Sequence, residues 1–207
     1  LRVLIIAEFF VLLLGLLIAI ARTTTSPVLY PLRLVATIYT DLFRGLPLLL
    51  VLLLVGLGIP GLRISWIPNS AVVLGTVALV LTYSAYVAEV IRAGIEGVNP
   101  TQRQAARALG LSQSQTLEHV VLPQAFRNVT PPLLNDLVSL QKDSGLISVL
   151  GAVDAIRAAG IQTAQSFNFT PYLVAGALFV LLTIPLTRFT DWLTRRQDAR
   201  QRAQGQW

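Results

Sequence analysis

Four polar side chains share one face of a predicted helix within a long and mostly apolar stretch of this sequence. They follow the spacing i, i+4, i+7 and i+8 that places residues on one side of an α-helix: Asn135, Ser139, Lys142 and Asp143. Lys142 lies about 15 Å beyond Pro132 along such a helix, which is near the middle of a membrane. Ionisable groups at that depth are costly, and they typically mark a transport path or pair with one another.

Two roles are open for Lys142 and Asp143. In a transport path, Lys142 would meet the carboxylate of a solute, and Asp143 or Glu89 would meet its ammonium group. In a structural or gating network, Lys142 would instead pair with an acid on a neighbouring helix. Successive residues of a helix point about 100° apart, so Lys142 and Asp143 cannot fully satisfy each other. The spacing alone does not decide between these roles.

A second predicted helix adds two candidate path residues, Tyr86 and Glu89. Glu89 precedes Arg92 by three residues, a spacing that predicts an ion pair along the helix; lining a path is the alternative. Tyr86, like Tyr83, could stack on a solute or could anchor the helix at the membrane interface. The full set of candidate path residues is Tyr86, Glu89, Asn135, Ser139, Lys142 and Asp143.

The sequence contains no constellation that suggests catalysis on the chain itself. Cys is absent and His119 is the only histidine, which argues against thiolate metal sites, zinc and haem. No G-x-x-x-x-G-K-[ST] motif for nucleotide phosphates is found. We therefore expect no catalytic residue, no metal and no cofactor bound by this chain.

Composition indicates a membrane protein. Of the 207 residues, 54% are hydrophobic and 13% are charged, about half the charged share of a typical soluble domain. A helix needs about 20 mostly apolar residues to cross a bilayer. The apolar run 46–59 would rise only about 21 Å, so residues 34–43 must extend it, with a break near Gly45 and Pro47. Because the sequence begins with Leu1 rather than Met, we expect that native N-terminal residues precede it.

The predicted fold is all-α, a single membrane domain over residues 1–207. It has five transmembrane helices and a two-helix segment between the third and the fourth. The predicted spans are about 3–21, 34–59, 70–90, 132–153 and 171–189, and the two-helix segment is 99–123. Trp66 and Trp192 flank spans and are expected to be interfacial anchors.

Charge placement predicts the orientation of the spans. The formal net charge is +6, and with the 91–128 loop in the cytoplasm, twelve arginines fall on the inner side: Arg22, Arg33, Arg44, Arg92, Arg103, Arg107, Arg127, Arg188, Arg195, Arg196, Arg200 and Arg202. Only Arg2, Arg63 and Arg157 fall outside. The positive-inside rule then places the N-terminus outside and the C-terminus in the cytoplasm. The basic surplus is explained by topology and contact with anionic lipid rather than by nucleic acid.

Helix-start signals divide the 99–123 loop into two short helices. Asn99 can cap the first, Pro100 suits its first position, and Gln102 can close a capping box. Gly110 predicts a left-handed stop. Residues 112–115 repeat the start signal, and the second helix is expected to end at Pro123.

The same pattern resembles a DNA-binding helix-turn-helix, but two features oppose that interpretation. The second helix carries Glu118 and no Arg or Lys before Arg127, so it would neutralise phosphates poorly. Membrane spans also flank the segment closely on both sides. We therefore expect no nucleic-acid partner.

The 99–123 loop resembles the cytoplasmic signature of bacterial ABC-importer permeases: Glu-Ala-Ala, three residues, Gly, nine residues, Ile-x-Leu-Pro. The spacing is kept, and the matching residues are Gln104, Ala105, Ala106, Gly110, Val120, Leu122 and Pro123. Gln104 replaces the acidic residue and Val120 replaces Ile, which puts in doubt any ion pair that relatives make at position 104. Residues 42–48, 85–95, 122–125 and 140–144 are similar to the histidine/glutamine-type polar amino acid permeases.

This resemblance implies the transmembrane subunit of an ATP-driven importer of a polar amino acid. It implies five core spans, pairing with a second permease subunit as a homo- or heterodimer, two ABC ATPase subunits that hold ATP and Mg, and an external solute-binding protein. The location would be the bacterial inner membrane. The segment that couples to the ATPase would use Gln104, Ala105, Ala106, Leu109, Gly110, Leu122 and Pro123.

Three alternatives remain. The same architecture could import an opine or an amino-acid derivative. A channel should present polar residues on several spans, whereas here they concentrate on one. A secondary transporter of the inverted-repeat type should show two related halves with matching broken helices, and the sequence does not show them.

Overall fold

The computed structural model describes residues 1–24, 26–64 and 67–203, and these residues are helical with short connections. The all-α prediction is confirmed, while the predicted anchor Trp66 lies outside the described residues. Within the described ranges, nine helices follow one another along the chain: α1 Arg2–Thr23, α2 Tyr30–Gly45, α3 Leu48–Gly61, α4 Ala71–Glu96, α5 Pro100–Ala108, α6 Gln113–Thr116, α7 Leu122–Asp143, α8 Ala155–Ser166 and α9 Thr170–Ala203. Helix α3 contains a π-helical turn, Leu54–Gly58. A 3-10 turn, Ser144–Leu150, follows α7.

Three of these helices are long and apolar enough to cross a membrane by themselves, namely α1, α4 and the Thr170–Gln197 part of α9. Two bent pairs bring the number to five if each pair counts as one span. The helices of the first pair, α2 and α3, diverge by 106°. The second pair consists of the segment Gln113–Leu150, which contains α6 and α7, and of α8, and it bends by 47°. The count of five spans therefore stays a prediction.

The predicted break near Gly45 and Pro47 is confirmed. Helix α2 ends at Gly45, and Leu46 adopts an extended backbone with φ −93° and ψ 136°. The ring of Pro47 disfavours a helical conformation at the preceding residue, which explains why the chain turns at Leu46. Residues 34–59 consequently form two helices with different directions rather than one straight span.

Small residues pack α1 tightly against α4. A buried stripe with a spacing of four residues runs along α1: Ala7, Val11, Gly15 and Ala19. A methyl group added at Gly15 would lie 2.6 Å from Cγ1 of Val87 on α4. Small side chains let membrane helices approach closely and gain dispersion contacts that lipid alone would not supply. This contact fixes α1 along the helix that carries Tyr83, Tyr86 and Glu89.

Helix α4 is the central element because other helices cover it on several sides. Buried residues occur around much of its circumference rather than on one stripe: Leu74, Ala78, Leu79, Tyr83, Ala85, Val87 and Ala88. It contacts α7 where Gly94 faces Val129, and it contacts the 3-10 turn after α7 where Gly75 faces Ile147. The polar residues of α4 are therefore held between α1, α2 and α7.

The prediction that the second loop helix ends at Pro123 is wrong. The chain continues from α6 through a π-helical turn, Leu117–Val121, directly into α7, where Pro123 occupies the second position. A wider π-helical turn can take up the irregularity that proline imposes, and Gln124 donates a side-chain hydrogen bond to the Val120 carbonyl at 2.8 Å. The helix that contains most of the predicted 132–153 span thus begins well before residue 132.

Helix α9 lies against α7 and α8 with most of its surface exposed. The hydroxyl of Thr183 on α9 donates a hydrogen bond of 2.8 Å to the buried side-chain carbonyl of Gln141 on α7. The predicted span 171–189 falls within α9, but the helix extends beyond it. Trp192 is half exposed and carries Arg196 over its ring at 5.3 Å.

Candidate functional site: the α5–α6 loop and the polar strip of α4 and α7

The loop between α4 and α7 begins with a capped helix. The side-chain oxygen of Asn99 accepts a hydrogen bond of 2.9 Å from the backbone N–H of Thr101, and Pro100 follows at the first helical position. The predicted cap is therefore confirmed. It fixes the start of α5, the helix that carries Gln104, Ala105 and Ala106.

The predicted capping box at Gln102 is wrong. Its side-chain oxygen accepts a hydrogen bond of 2.5 Å from the side chain of Gln124 on α7 instead of reaching back to Asn99. Because α6 runs continuously into α7, Gln124 lies within reach of α5. This bond ties the two arms of the loop together and holds α5 beside the base of α7.

The turn between α5 and α6 has the predicted geometry. Gly110 has a φ of +88°, a left-handed conformation that suits glycine because it has no Cβ. Ser112 and Gln115 then form a reciprocal capping box, with bonds of 2.9 and 3.2 Å. The loop is therefore an ordered helix–turn–helix unit.

Burial divides the predicted coupling residues into two groups. Most of them are exposed: Gln104, Ala105, Leu109, Gly110, Leu122 and Pro123. Leu109 is 82% exposed at the tip of the loop, which is unusual for a large apolar side chain. Ala106, by contrast, is only 6% exposed and faces the interior of the loop. An approaching partner could reach Ala105 and Leu109 but not Ala106.

The loop is attached to the end of α4 by both polar and apolar contacts. The guanidinium of Arg103 donates a hydrogen bond to the carbonyl of Ile95. A small buried cluster of Val98, Val121 and Ala125, with Ile95 packed against it, closes the base of the loop. A displacement of α5 would therefore pull directly on the last turn of α4.

The predicted polar face of α7 is only partly covered by the residues that the structure describes. Asn135 and Lys142 are exposed, and Ser139 and Asp143 are partly exposed. Lys142 forms no ion pair with any residue that the structure describes. Asp143 accepts a hydrogen bond of 2.7 Å from the hydroxyl of Tyr83 on α4. The contact with Tyr83 links the α7 face to α4.

Tyr83, Tyr86 and Glu89 follow one another at every third residue of α4 and, together with the polar face of α7, form what we call the polar strip of α4 and α7. The rings of Tyr83 and Tyr86 lie 6.2 Å apart, and the guanidinium carbon of Arg44, near the end of α2, lies 5.9 Å from the centre of the Tyr86 ring. One turn further along α4 is Glu89. The structure thus connects the predicted residues Asp143 and Tyr86 through Tyr83, and Glu89 follows Tyr86 on the same helix.

Glu89 is the centre of an ion cluster that joins three helices. Its carboxylate is 2.5 Å from Arg92 on the same helix, 2.6 Å from Arg22 at the end of α1 and 3.7 Å from Arg44. The ion pair predicted with Arg92 is confirmed. Arg92 also pairs with Glu96.

Sequence reasoning did not anticipate the partners Arg22 and Arg44. The signal was present, because each residue is the basic group in the last turn of its helix, and the predicted orientation places both at the same membrane surface as Glu89. The sequence does not show that α1, α2 and α4 are neighbours in the folded chain.

A family model described as the binding-protein-dependent transport system inner membrane component matches residues 11–201. The chain belongs to this family. The arginine transport system permease protein ArtQ of Bacillus subtilis is 35% identical over 90% of this chain and 84% of its own length. A putative glutamine transport system permease protein GlnP of Rickettsia conorii is 39% identical over 87% and 81%. The resemblance to ABC-importer permeases of the amino acid type is thus confirmed.

Solved structures agree with this assignment. An amino acid ABC transporter crystallised with histidines is 35% identical, with a TM-score of 0.86 over 94% of this chain and 89% of the other. The MetNI methionine ABC transporter in an inward-facing conformation is 19% identical with a TM-score of 0.75 over 95% and 91%; at that identity it supports the fold alone. The chain is therefore a membrane component of a transport system with the ABC permease fold.

Proposed function

We propose that this chain forms half of the translocation path of an ATP-driven importer of a polar amino acid. The observation that carries the proposal is the ordered loop between α4 and α7, which presents Ala105, Leu109 and Gly110 outward while it is bound to the end of α4. Relatives named for arginine and glutamine transport support the solute class. An opine or an amino-acid derivative is the second candidate, because such solutes share the α-carboxylate.

The proposed membrane topology has five spans, with the N-terminus outside and the C-terminus in the cytoplasm. The bent pair of α2 and α3 supplies the second span. The positive-inside distribution of arginine supports this orientation. It places the α5–α6 loop in the cytoplasm, where an ATPase subunit can reach it, and it places the Glu89 cluster at the inner membrane surface.

The exposed face of the α5–α6 loop is the proposed docking surface for an ATPase subunit. Leu109, Leu122 and Pro123 offer apolar contacts, and the small side chain of Ala105 allows close approach. Gln104 carries no charge, so docking here does not use a salt bridge at that position. When the ATPase moves, the loop transmits the motion to α4 through Arg103 and to α7 through the continuous helix from α6.

The proposed translocation path follows the polar strip of α4 and α7. Its residues are Tyr86, Glu89, Asn135, Ser139, Lys142 and Asp143. The uncovered polar side chains Asn135 and Lys142 support this role, because polar groups at membrane depth avoid lipid and face a protein partner or water. A second permease subunit would complete the path across this face.

The transport cycle needs further partners. Two ABC ATPase subunits would bind ATP and Mg, and an external solute-binding protein would deliver the solute. ATP-driven closure of the ATPase pair would shift the spans between inward- and outward-facing states. A stand-alone channel or secondary transporter would need none of these partners, and it would leave the exposed docking face of the loop unexplained.

Co-purification with the ATPase subunit tests the docking surface. Ala105→Arg adds a bulky charge to an exposed position and should release the ATPase while the permease still inserts and remains folded. The matched control is Ala158→Arg, the same change at an exposed alanine of α8, which should leave the complex intact. Retention of the ATPase by the Ala105→Arg variant would contradict the proposed docking surface.

A further inference from the structure

We propose that Arg44, held against the ring of Tyr86, is the binding site for the α-carboxylate of the solute at the inner end of the path. This inference rests on the proposed function, and it names a residue outside the set that the sequence predicted. The site lies where the end of α2 meets α4. Its parts are the guanidinium of Arg44, the Tyr86 ring and the neighbouring ion cluster of Glu89.

The Arg44 guanidinium donates no hydrogen bond to any residue that the structure describes. Arg22 and Arg92 each donate to the Glu89 carboxylate, whereas Arg44 lies 3.7 Å from it, beyond hydrogen-bonding distance. Asp41, one turn earlier on α2, forms no ion pair with Arg44 in the part of the chain that the structure describes. A guanidinium carries five donors in a planar fork that matches a carboxylate.

The charges of the cluster do not balance. Three guanidiniums, from Arg22, Arg44 and Arg92, surround the two carboxylates of Glu89 and Glu96. One positive charge remains, and it belongs to the most exposed of the three arginines, since the Arg44 side chain is 41% exposed and the others are 11% and 27% exposed. The cluster is therefore ready to accept one anion.

Arg44 lies beside the proposed path. Tyr86 is 37% exposed, so its ring forms part of the same open surface, and the cation–π contact holds the guanidinium in place. A solute that follows the strip from Asp143 past Tyr86 reaches Arg44 at the inner end of the path. Glu89 cannot receive the ammonium group in this arrangement, because its carboxylate is already bound by arginines.

Equilibrium binding to the complete transporter in nanodiscs, without the external binding protein, tests this inference. The probe is tritiated glutamine, displaced by glutamate or by glutamine α-amide. We expect glutamate to compete and the α-amide, which lacks the carboxylate, to fail. Arg44→Gln should weaken glutamine binding by about tenfold or more, and Arg44→Lys, which keeps the charge but loses the fork, should weaken it less.

Arg33→Gln is the matched control. Arg33 lies on the same helix with its guanidinium 5.2 Å from the centre of the Tyr30 ring, and it is not part of the Glu89 cluster. Wild-type affinity is expected for this variant. The proposal would be overturned if the α-amide competed with glutamine or if Arg44→Gln bound glutamine as tightly as the wild type. It would also be overturned if Arg33→Gln and Arg44→Gln lost equal affinity, or if glutamine binding required Lys142 and not Arg44.

Lipid composition distinguishes a solute site at Arg44 from a lipid site. Nanodiscs of purely zwitterionic lipid should give the same loss for Arg44→Gln as nanodiscs with anionic lipid; a loss confined to anionic lipid would assign Arg44 to a lipid headgroup instead.

ATP-driven uptake of glutamine by the wild-type complex is measured in parallel. Uptake without detectable binding in nanodiscs overturns the Arg44 site alone, whereas no uptake of any amino acid overturns the proposed function as well.

Discussion

The hydroxyl of Tyr83 on α4 donates a hydrogen bond of 2.7 Å to the carboxylate of Asp143 on α7. Tyr83 is buried and Asp143 is only partly exposed, and the bond links α4 to α7 through an acid that has no other hydrogen bond or ion pair among the described residues. It joins the central helix to the end of the helix that begins in the α5–α6 loop. Helices α4 and α7 are therefore in contact near the base of the loop, where Gly94 faces Val129, and again between the middle of α4 and the last residue of α7.

Tyr83→Phe should destabilise the protein by removing this bond. Loss of a hydrogen bond to a charged acceptor lowers the free energy of unfolding by about 1–2 kcal/mol, which thermal unfolding in detergent would detect. Tyr86→Phe is the control, because the Tyr86 hydroxyl has no hydrogen bond to any residue that the structure describes. Equal stability of the two variants would show that the Tyr83–Asp143 bond contributes nothing.

Gly15→Ala should weaken the packing of α1 against α4. The added methyl group would approach Val87 to 2.6 Å, and overpacking of this kind costs about 1–3 kcal/mol. The matched control is Gly176→Ala on α9, where an added methyl group meets no atom within 4 Å. Combining Gly15→Ala with Val87→Ala should recover part of the loss, and a lack of recovery would argue against this contact as the cause.

Glu89→Gln should loosen the junction of α1, α2 and α4. It removes the negative charge that three arginines share, and we expect a loss of about 1–3 kcal/mol in unfolding free energy, measured by thermal unfolding. Glu96→Gln should cost less than about 1 kcal/mol, because the Glu96 side chain is 57% exposed and, among the described residues, forms an ion pair with Arg92 alone. A larger effect at position 96 than at position 89 would contradict the central role of Glu89.

Ala106→Arg should unfold the α5–α6 loop rather than merely block docking. Ala106 is buried, so a long charged side chain has no room there, and limited proteolysis should cut the loop of this variant faster than that of the wild type. Ala105→Arg places the same side chain on the exposed face and should leave the loop resistant. Equal protection of both variants would be inconsistent with the burial of Ala106.

Local sequence signals predicted much of the fold because their causes are local. The long apolar runs predicted α1, α4 and α9, the proline at position 47 predicted the break after α2, and Gly110 predicted its own left-handed turn. The capping residues Asn99 and Ser112 work in the same way. Each of these features depends on a few neighbouring residues, so the pattern alone was sufficient.

Features that depend on packing between distant segments were missed or wrong. Gln102 has the right spacing for a capping box, but its side chain accepts a hydrogen bond from Gln124 instead. Gln124 is within reach because α7 lies beside α5, an arrangement that local spacing does not show. Pro123 is a helix stop by local rules, but the π-helical turn before it lets the helix continue. The partners of Glu89 on α1 and α2 are separated from it by long stretches of sequence, so only the three-dimensional arrangement identifies them.

The most direct test of the central claim is amino-acid uptake into proteoliposomes that contain this permease, its ATPase subunits and the external binding protein. We predict that uptake of a polar amino acid requires ATP and that Gly110→Arg abolishes it, because the substitution disrupts the left-handed turn at the docking surface. Uptake that proceeds equally without ATP, or that is unaffected by Gly110→Arg, would contradict the account.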